Sequence, residues 1–216
     1  MMRFERLFNL LTKPLAVILY FSLVVLLILF WDKAIASYFY SLDLRHKLPI
    51  ISFITRLGLS PVYFAVFIGL GLYCRYIKIN KKTEAKAWFL LSCITIPAIL
   101  CIFFKVLLGR ARPNLYLFDN IYGFYGLKWN ANYWSLPSGH TTTIMSVMLG
   151  LSIVFPRYFY PFLLTGITVA FSRVMLTHHY LSDILVAFYL VVLELGLLLA
   201  LFRKKTWLAP SWKHDV

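Results

Sequence analysis

The 216-residue chain is 61% hydrophobic and 18% aromatic, with only 14% charged residues and a formal net charge of +14. Soluble domains carry about a quarter charged residues, so this composition, with its apolar residues gathered in blocks, excludes an ordinary water-soluble domain and indicates a membrane protein. The basic excess forms neither a face nor a tail, which argues against a nucleic-acid partner; Lys and Arg fall between apolar blocks, where they meet anionic headgroups and set topology.

The first apolar segment, 15–31, follows Arg3, Arg6 and Lys13 and is not followed by a small-residue cleavage site. It reads as a retained helix, with Trp31-Asp32-Lys33 as an interfacial stop. The connection 34–58 alternates aromatic and polar residues (Tyr38, Phe39, Tyr40, Asp43, Arg45, His46), which predicts an amphipathic helix in the outer interface. Segments 59–77 and 87–104 are the second and third apolar blocks. Cys74, Cys93 and Cys101 lie in apolar stretches at spacings that fit neither a zinc site nor a disulfide framework, so they read as small buried hydrophobes.

Polar clusters then appear at the ends of apolar segments. Lys105 and Arg112 are seven residues apart, two turns of a continuing helix, with Pro113 as its stop. Taken alone they are a pair of snorkelling cations. Arg110, between them, is assigned to lipid headgroups. The connection 114–135 is rich in Tyr, Phe and Trp; it is either a gate over a headgroup or an interfacial aromatic belt.

Pro137-Ser138-Gly139-His140 precedes the fourth segment, 141–155, and predicts a tight turn into a helix N-terminus, where free N–H groups attract anions. After the fifth segment, 161–171, comes Ser172-Arg173, then His178, His179 and Asp183. His179 and Asp183 are four apart, so on a helix the carboxylate lies beside the imidazole, fixes its tautomer and leaves the other nitrogen free to attack. His178 points about 100° away on such a helix and is left out of the chemistry. The sixth segment, 184–202, carries Glu194 at mid-depth, for which a buried hydrogen bond or a protonated state is expected.

The expected architecture is therefore all-α: a single membrane-embedded domain spanning 1–216, a bundle of six transmembrane helices with one amphipathic interfacial helix. Counting Lys and Arg in the connections gives thirteen against nine, which places both termini in the cytoplasm and the polar clusters outside. Lys205 and Lys213 are among the thirteen.

Together, Lys-x6-Arg-Pro, Pro-Ser-Gly-His and Ser-Arg-x5-His-x3-Asp resemble the signature of the type 2 phosphatidic acid phosphatase superfamily, complete and in order over 105–183. The resemblance implies a lipid phosphatase that needs no metal and no cofactor. It implies His179 as nucleophile through a phosphohistidine, Asp183 orienting it, and His140 as the acid and later the base. Lys105, Arg112 and Arg173, with Ser138 and the Gly139 N–H, are implied to cradle the phosphate. The implied substrates are undecaprenyl diphosphate, phosphatidylglycerol phosphate, phosphatidic acid or a lipid A phosphate. Compact size favours a bacterial inner-membrane setting, and with it the first, second and fourth of these. A phosphotransferase of the same family and a lipid or phosphate transporter are the alternatives.

Overall fold

The computed structural model describes residues 3–204; Lys205 and Lys213, like the extreme ends of the expected domain, lie outside the described residues. Within them the chain is helical, and the only β-pairing recorded is one isolated bridge, Arg110 to Phe124. The helices are α1 (Arg3–Leu11), α2 (Pro14–Leu26), α3 (Asp32–Leu42), α4 (Leu44–Lys47), α5 (Pro49–Ile54), α6 (Ser60–Tyr76), α7 (Lys81–Leu108), α8 (Pro113–Asp119), α9 (Gly139–Val154), α10 (Phe159–Met175) and α11 (Leu181–Lys204).

Among the described residues three helices are long and apolar enough to cross a membrane: the run Pro14–Leu42, α7 and α11. A fourth span results if Pro49–Gly58 and α6, bent by 45°, count as one. The expected six are not reached, because α9 and α10, at 16 and 17 residues, extend only roughly 24–26 Å at 1.5 Å per residue, against a hydrocarbon core of about 30 Å. The first span also differs from expectation. Its helix does not stop at Trp31 but widens into one π-helical turn, Leu27–Trp31, and continues as α3 to Leu42. Only 44–58 of the expected interfacial connection is broken into short helical pieces, α4, α5 and a 3-10 turn, Thr55–Gly58.

Helix α9 is central. It packs against α6, α7, α10 and α11, and nearly all of its residues are buried, as expected of a helix apolar or small on every side. The core around it is built from Phe89, Ile94, Ile144, Leu149, Ile153, Val191 and Leu195. Leu15, Ile18, Leu29, Val62, Ile99, Leu164 and Leu197 point outward, exposed. So much outward apolar surface suits lipid as solvent and not water. The chain is an integral membrane protein.

Alternation of direction then decides where the polar clusters fall. Lys105 is in the last turn of α7, Ser138 and His140 start α9, Arg173 ends α10 and Asp183 starts α11. All four helix ends meet at one end of the bundle.

Candidate active site at the end of the helix bundle

The chain leaves α7 earlier than the two-turn spacing predicts. Gly109 adopts φ +53°, and a Cβ there would lie 1.9 Å from the Gly126 carbonyl oxygen, so only glycine fits this left-handed cap. Arg110 to Arg112 therefore run extended, not helical, and Lys105 and Arg112 reach the site by a turn. The segment 120–135 folds back onto this turn. Ala111 N–H donates to the Gly123 carbonyl (3.0 Å), Arg112 N–H to Asn132 (2.9 Å) and Ser135 N–H to Arg110 (3.1 Å). The aromatic connection is thus pinned to the site as scaffold, beyond either role expected for it. Its Trp134 carbonyl accepts from Lys105 Nζ at 2.6 Å.

Arg110 does not face headgroups. It is fully buried, with Nη1 2.5 Å from Asp183 Oδ1 and Nη2 2.7 Å from Asp32 Oδ2. Nη1 also donates to Ser182 Oγ (2.7 Å), and the guanidinium lies 4.5 Å from the Tyr180 ring centroid. Burial works against this charge, but the Asp183 and Asp32 carboxylates outweigh it and hold the pKa above the ordinary arginine range. Asp32, expected at the interface as a stop, is instead buried 1% exposed at the start of α3, where it accepts from Ser182 N–H and pairs closely with the Ser182 hydroxyl. The π-helical turn just before it is tied in place by Tyr122, whose hydroxyl donates to the Ile28 carbonyl (2.5 Å). Arg110, two positions from a motif residue, and Asp32, far from any, carry no periodic signal that pairs them, and their partners are separated by long stretches of chain.

Asp183 is saturated. It accepts from Arg110, from Ser135 Oγ (2.6 Å) and from Tyr180 N–H (2.9 Å). Its Oδ2 is also 3.5 Å from His179 Nδ1, an ion-pair distance without hydrogen-bond geometry. The reason for that contact differs from the expected helical pairing. His179 precedes α11, in a turn where Thr177 takes φ 53° and both His178 and His179 N–H donate to the Arg173 carbonyl. A β-branched residue in that region costs about 1–3 kcal/mol, and the turn it makes swings the imidazole back over Asp183. His179 is 3% exposed, and burial first, then the fields of Lys105 and Arg112, hold its pKa well below 6.5 against the pull of Asp183. The ring is therefore neutral at physiological pH, with Nδ1 toward the carboxylate and Nε2 turned away from it.

Ser138 is buried and caps α9, its Oγ accepting from Thr141 N–H and Thr141 Oγ1, while its own N–H donates to the Asp183 carbonyl (3.3 Å). Gly139 opens the first turn of α9, where N–H groups lack intrahelical partners, and its Cα carries no side chain between that end and Lys105, whose Cε is 3.6 Å from a Cβ built there. The 3-10 turn Thr55–Gly58, which no motif marks, touches two expected site residues. Arg173 Nη1 donates to Thr55 Oγ1 at 2.9 Å. A Cβ on Gly58 would come within 2.9 Å of His140 Cβ and Cδ2, so the ring packs against bare backbone.

The three cations of the expected cradle have no carboxylate partner among the described residues, and Arg112 Nε and Arg173 Nε are buried without hydrogen-bond partners. Burial pushes the Arg112 pKa below its ordinary range, only partly offset by Asp183. Unneutralised, half-satisfied cations around a neutral imidazole are what an anion would complete. No group of three or more His, Cys, Asp or Glu side chains among the described residues is placed to hold a metal ion. Glu194 Oε2 is buried without a hydrogen-bond partner.

The family model described as the PAP2 superfamily matches residues 86–207. Among curated proteins the chain is 31% identical over 117 residues to a lipid A 1-phosphatase of Rhizobium etli, covering 50% of each chain. It is 27% identical over 145 residues to a lipid A 4'-phosphatase of Porphyromonas gingivalis, covering 61% of this chain and 59% of that one. The chain thus spans about half the length of the curated relatives it matches. Among solved structures it resembles a transmembrane PAP2-type phosphatidylglycerolphosphate phosphatase from Bacillus subtilis. The TM-score is 0.54 at 16% identity, over 93% of this chain and 92% of that one; the likeness is one of fold.

Proposed function

Since this chain belongs to the PAP2 superfamily, we propose that it is a lipid phosphatase of one membrane domain, in which His179 attacks the phosphorus of a lipid-linked phosphomonoester or terminal diphosphate. The observation that carries the reading is a buried imidazole, 3.5 Å from Asp183, at the same end of the bundle as three cations that no carboxylate among the described residues neutralises.

In the first step the His179 Nε2 lone pair forms the N–P bond while the P–O bond to the lipid breaks. The departing oxygen takes a proton from His140, whose protonated form is favoured once a phosphate anion lies against it. Asp183, fixed by Arg110, Ser135 and Tyr180 N–H, stabilises the positive charge that develops on the ring. Lys105, Arg112 and Arg173 hold the nonbridging oxygens, with Ser138 and the Gly139 N–H at the helix N-terminus, where the charge of the transition state spreads. In the second step His140 takes a proton from water, the water oxygen bonds to phosphorus, and the N–P bond breaks to release orthophosphate and free His179. The fixed cations fill the electrostatic role that a metal ion has in other phosphoryl transfers, so no cofactor is invoked.

The membrane arrangement belongs to the same proposal. Six apolar segments cross or enter the bilayer, α9 and α10 being completed by their polar ends in the site. Both termini lie in the cytoplasm, the site opens to the exterior of a bacterial inner membrane, and the tail remains among membrane lipids. The lipid A phosphatase relatives favour a glycolipid phosphate among the candidate substrates.

The test is phosphate release from a panel of purified lipid phosphates by detergent-solubilised protein in the presence of EDTA. Release is expected, and His179→Ala is expected to reduce it at least about 10³-fold, the scale of losing a covalent nucleophile. Release that requires an added divalent metal, or that survives the substitution, sinks the reading.

A further inference from the structure

Beyond the nucleophile a cavity of about 670 Å³ opens between α3, α4, α8 and the turn after α10. It holds roughly twenty waters' worth of volume at liquid density, far more than one phosphate needs and within the range of small-molecule sites. Its lining includes Arg112, one cation of the proposed cradle, and His178, the chain neighbour of the proposed nucleophile.

The rest of the lining is specific in kind. Tyr40 and Phe118 face each other from α3 and α8, ring centroids 5.7 Å apart at 88°, and both remain exposed. Asn114 and Asn132 add amide groups, which donate and accept. Arg45, from α4, donates through Nη2 to His178 Nε2 at 3.0 Å. Arginine can only donate, so His178 accepts as a neutral ring; burial and the nearby cations, Arg173 first, hold its pKa down at about 3. Arg45 is thus anchored by a neutral partner and keeps its charge. The one carboxylate in the lining, Asp43, is taken by His46 Nδ1 at 2.7 Å.

We propose that this cavity is the subsite for the polar headgroup that carries the reacting phosphate, and that it takes a hydroxyl-rich, sugar-like unit bearing a second anionic group, which Arg45 binds. Aromatic faces suit the apolar faces of a sugar ring, the two amides suit its hydroxyls, and Arg45 adds a cation beyond the three of the proposed cradle. His178 acts here through Arg45, as a positioning residue. The inference rests on the lipid phosphatase reading and narrows it: a lipid whose head is the reacting phosphate alone leaves the cavity unused.

The experiment compares kcat/KM for three substrates, with EDTA present: a long-chain alkyl phosphate, an acylated glycolipid with two phosphates, and the same glycolipid with one. Arg45→Gln is expected to lower kcat/KM for the doubly phosphorylated glycolipid at least about 10-fold more than for the alkyl phosphate, ~1.4 kcal/mol of binding, through KM. The excess should vanish with the singly phosphorylated glycolipid. Asn114→Ala is expected to weaken both glycolipids and not the alkyl phosphate disproportionately. Lys47→Gln, removing an exposed cation outside the cavity, should change none of the three.

Equal effects of Arg45→Gln on all three substrates, or none on the glycolipids, overturn the headgroup subsite while leaving the phosphatase reading intact. Failure of the unsubstituted protein to release phosphate from any of the three overturns both.

Discussion

Arg110 and Arg112 are two residues apart in one extended turn, yet they live in opposite electrostatic worlds. Arg110 is fully buried between two carboxylates, with hydroxyl and aromatic neighbours on its remaining sides. Arg112 is half-buried on a cavity wall with no carboxylate in ion-pair contact among the described residues; the Nε of both arginines lacks a partner, so the carboxylates alone separate them. A neutralised buried cation holds a structure together, because removing it strands its partners. An unneutralised one is held by the surrounding fold and gains most when an anion arrives. The same side chain is therefore neutralised in one place and, in the proposed site, open to an anion in the other, and the difference is made by Asp32 and Asp183.

The largest expected effect breaks the strut. Arg110→Leu leaves Asp32 and Asp183 buried without a cation, and a loss of about 3–5 kcal/mol is expected, read as a lowered thermal midpoint or shortened lifetime in detergent. An unchanged midpoint would show that the two carboxylates do not depend on Arg110. The matching substitution, Arg112→Leu, is expected to leave the midpoint level or higher and to lower phosphate release about 10²–10³-fold, as for loss of one donor to a developing oxyanion. If the two variants behave alike, the distinction between them is wrong.

Gly58→Ala is a smaller probe, since the added Cβ meets the His140 side chain first. About a 10-fold loss is expected for substrates with poor leaving groups, which need the proton, and less for activated ones; equal losses on both would separate Gly58 from proton transfer.

A separate effect concerns pH. His178 and His179 have pKa values held below 6.5 by burial. As pH falls through 6.5 the unfolded chain takes up protons that the folded one refuses. Stability is thus full above that pH and declines below it. Thermal midpoints measured from pH 7.5 down to 5 should fall accordingly, and a flat profile would mean that neither ring is shielded.

The motifs made the candidate site legible as a set of residues, because polar side chains in so apolar a chain gather at the helix ends, and the structure brings those ends together. Less legible were the reasons. Lys105 and Arg112 looked like neighbours along one helix, but Gly109 ends that helix and the aromatic connection holds the turn that replaces it. His179 and Asp183 looked like an i, i+4 helical pair, but they meet because Thr177 reverses the chain before α11 begins. Asp32, Thr55 and Gly58 gave no signal, since each acts through a contact with a residue far away in the chain.

By itself the sequence determined the medium and the family: apolar blocks this long with few charges suit lipid as solvent, and the order of cations, histidines and Asp183 is the pattern by which the chain resembles the PAP2 superfamily. The tertiary structure decided which charges are spent on one another and which stay open. Neutralisation is a matter of distances of a few ångströms between separate helices, and no spacing along a chain encodes it. The depth of α9 and α10, the swing of His179 and the cavity beside Arg45 are settled at the same level, by packing.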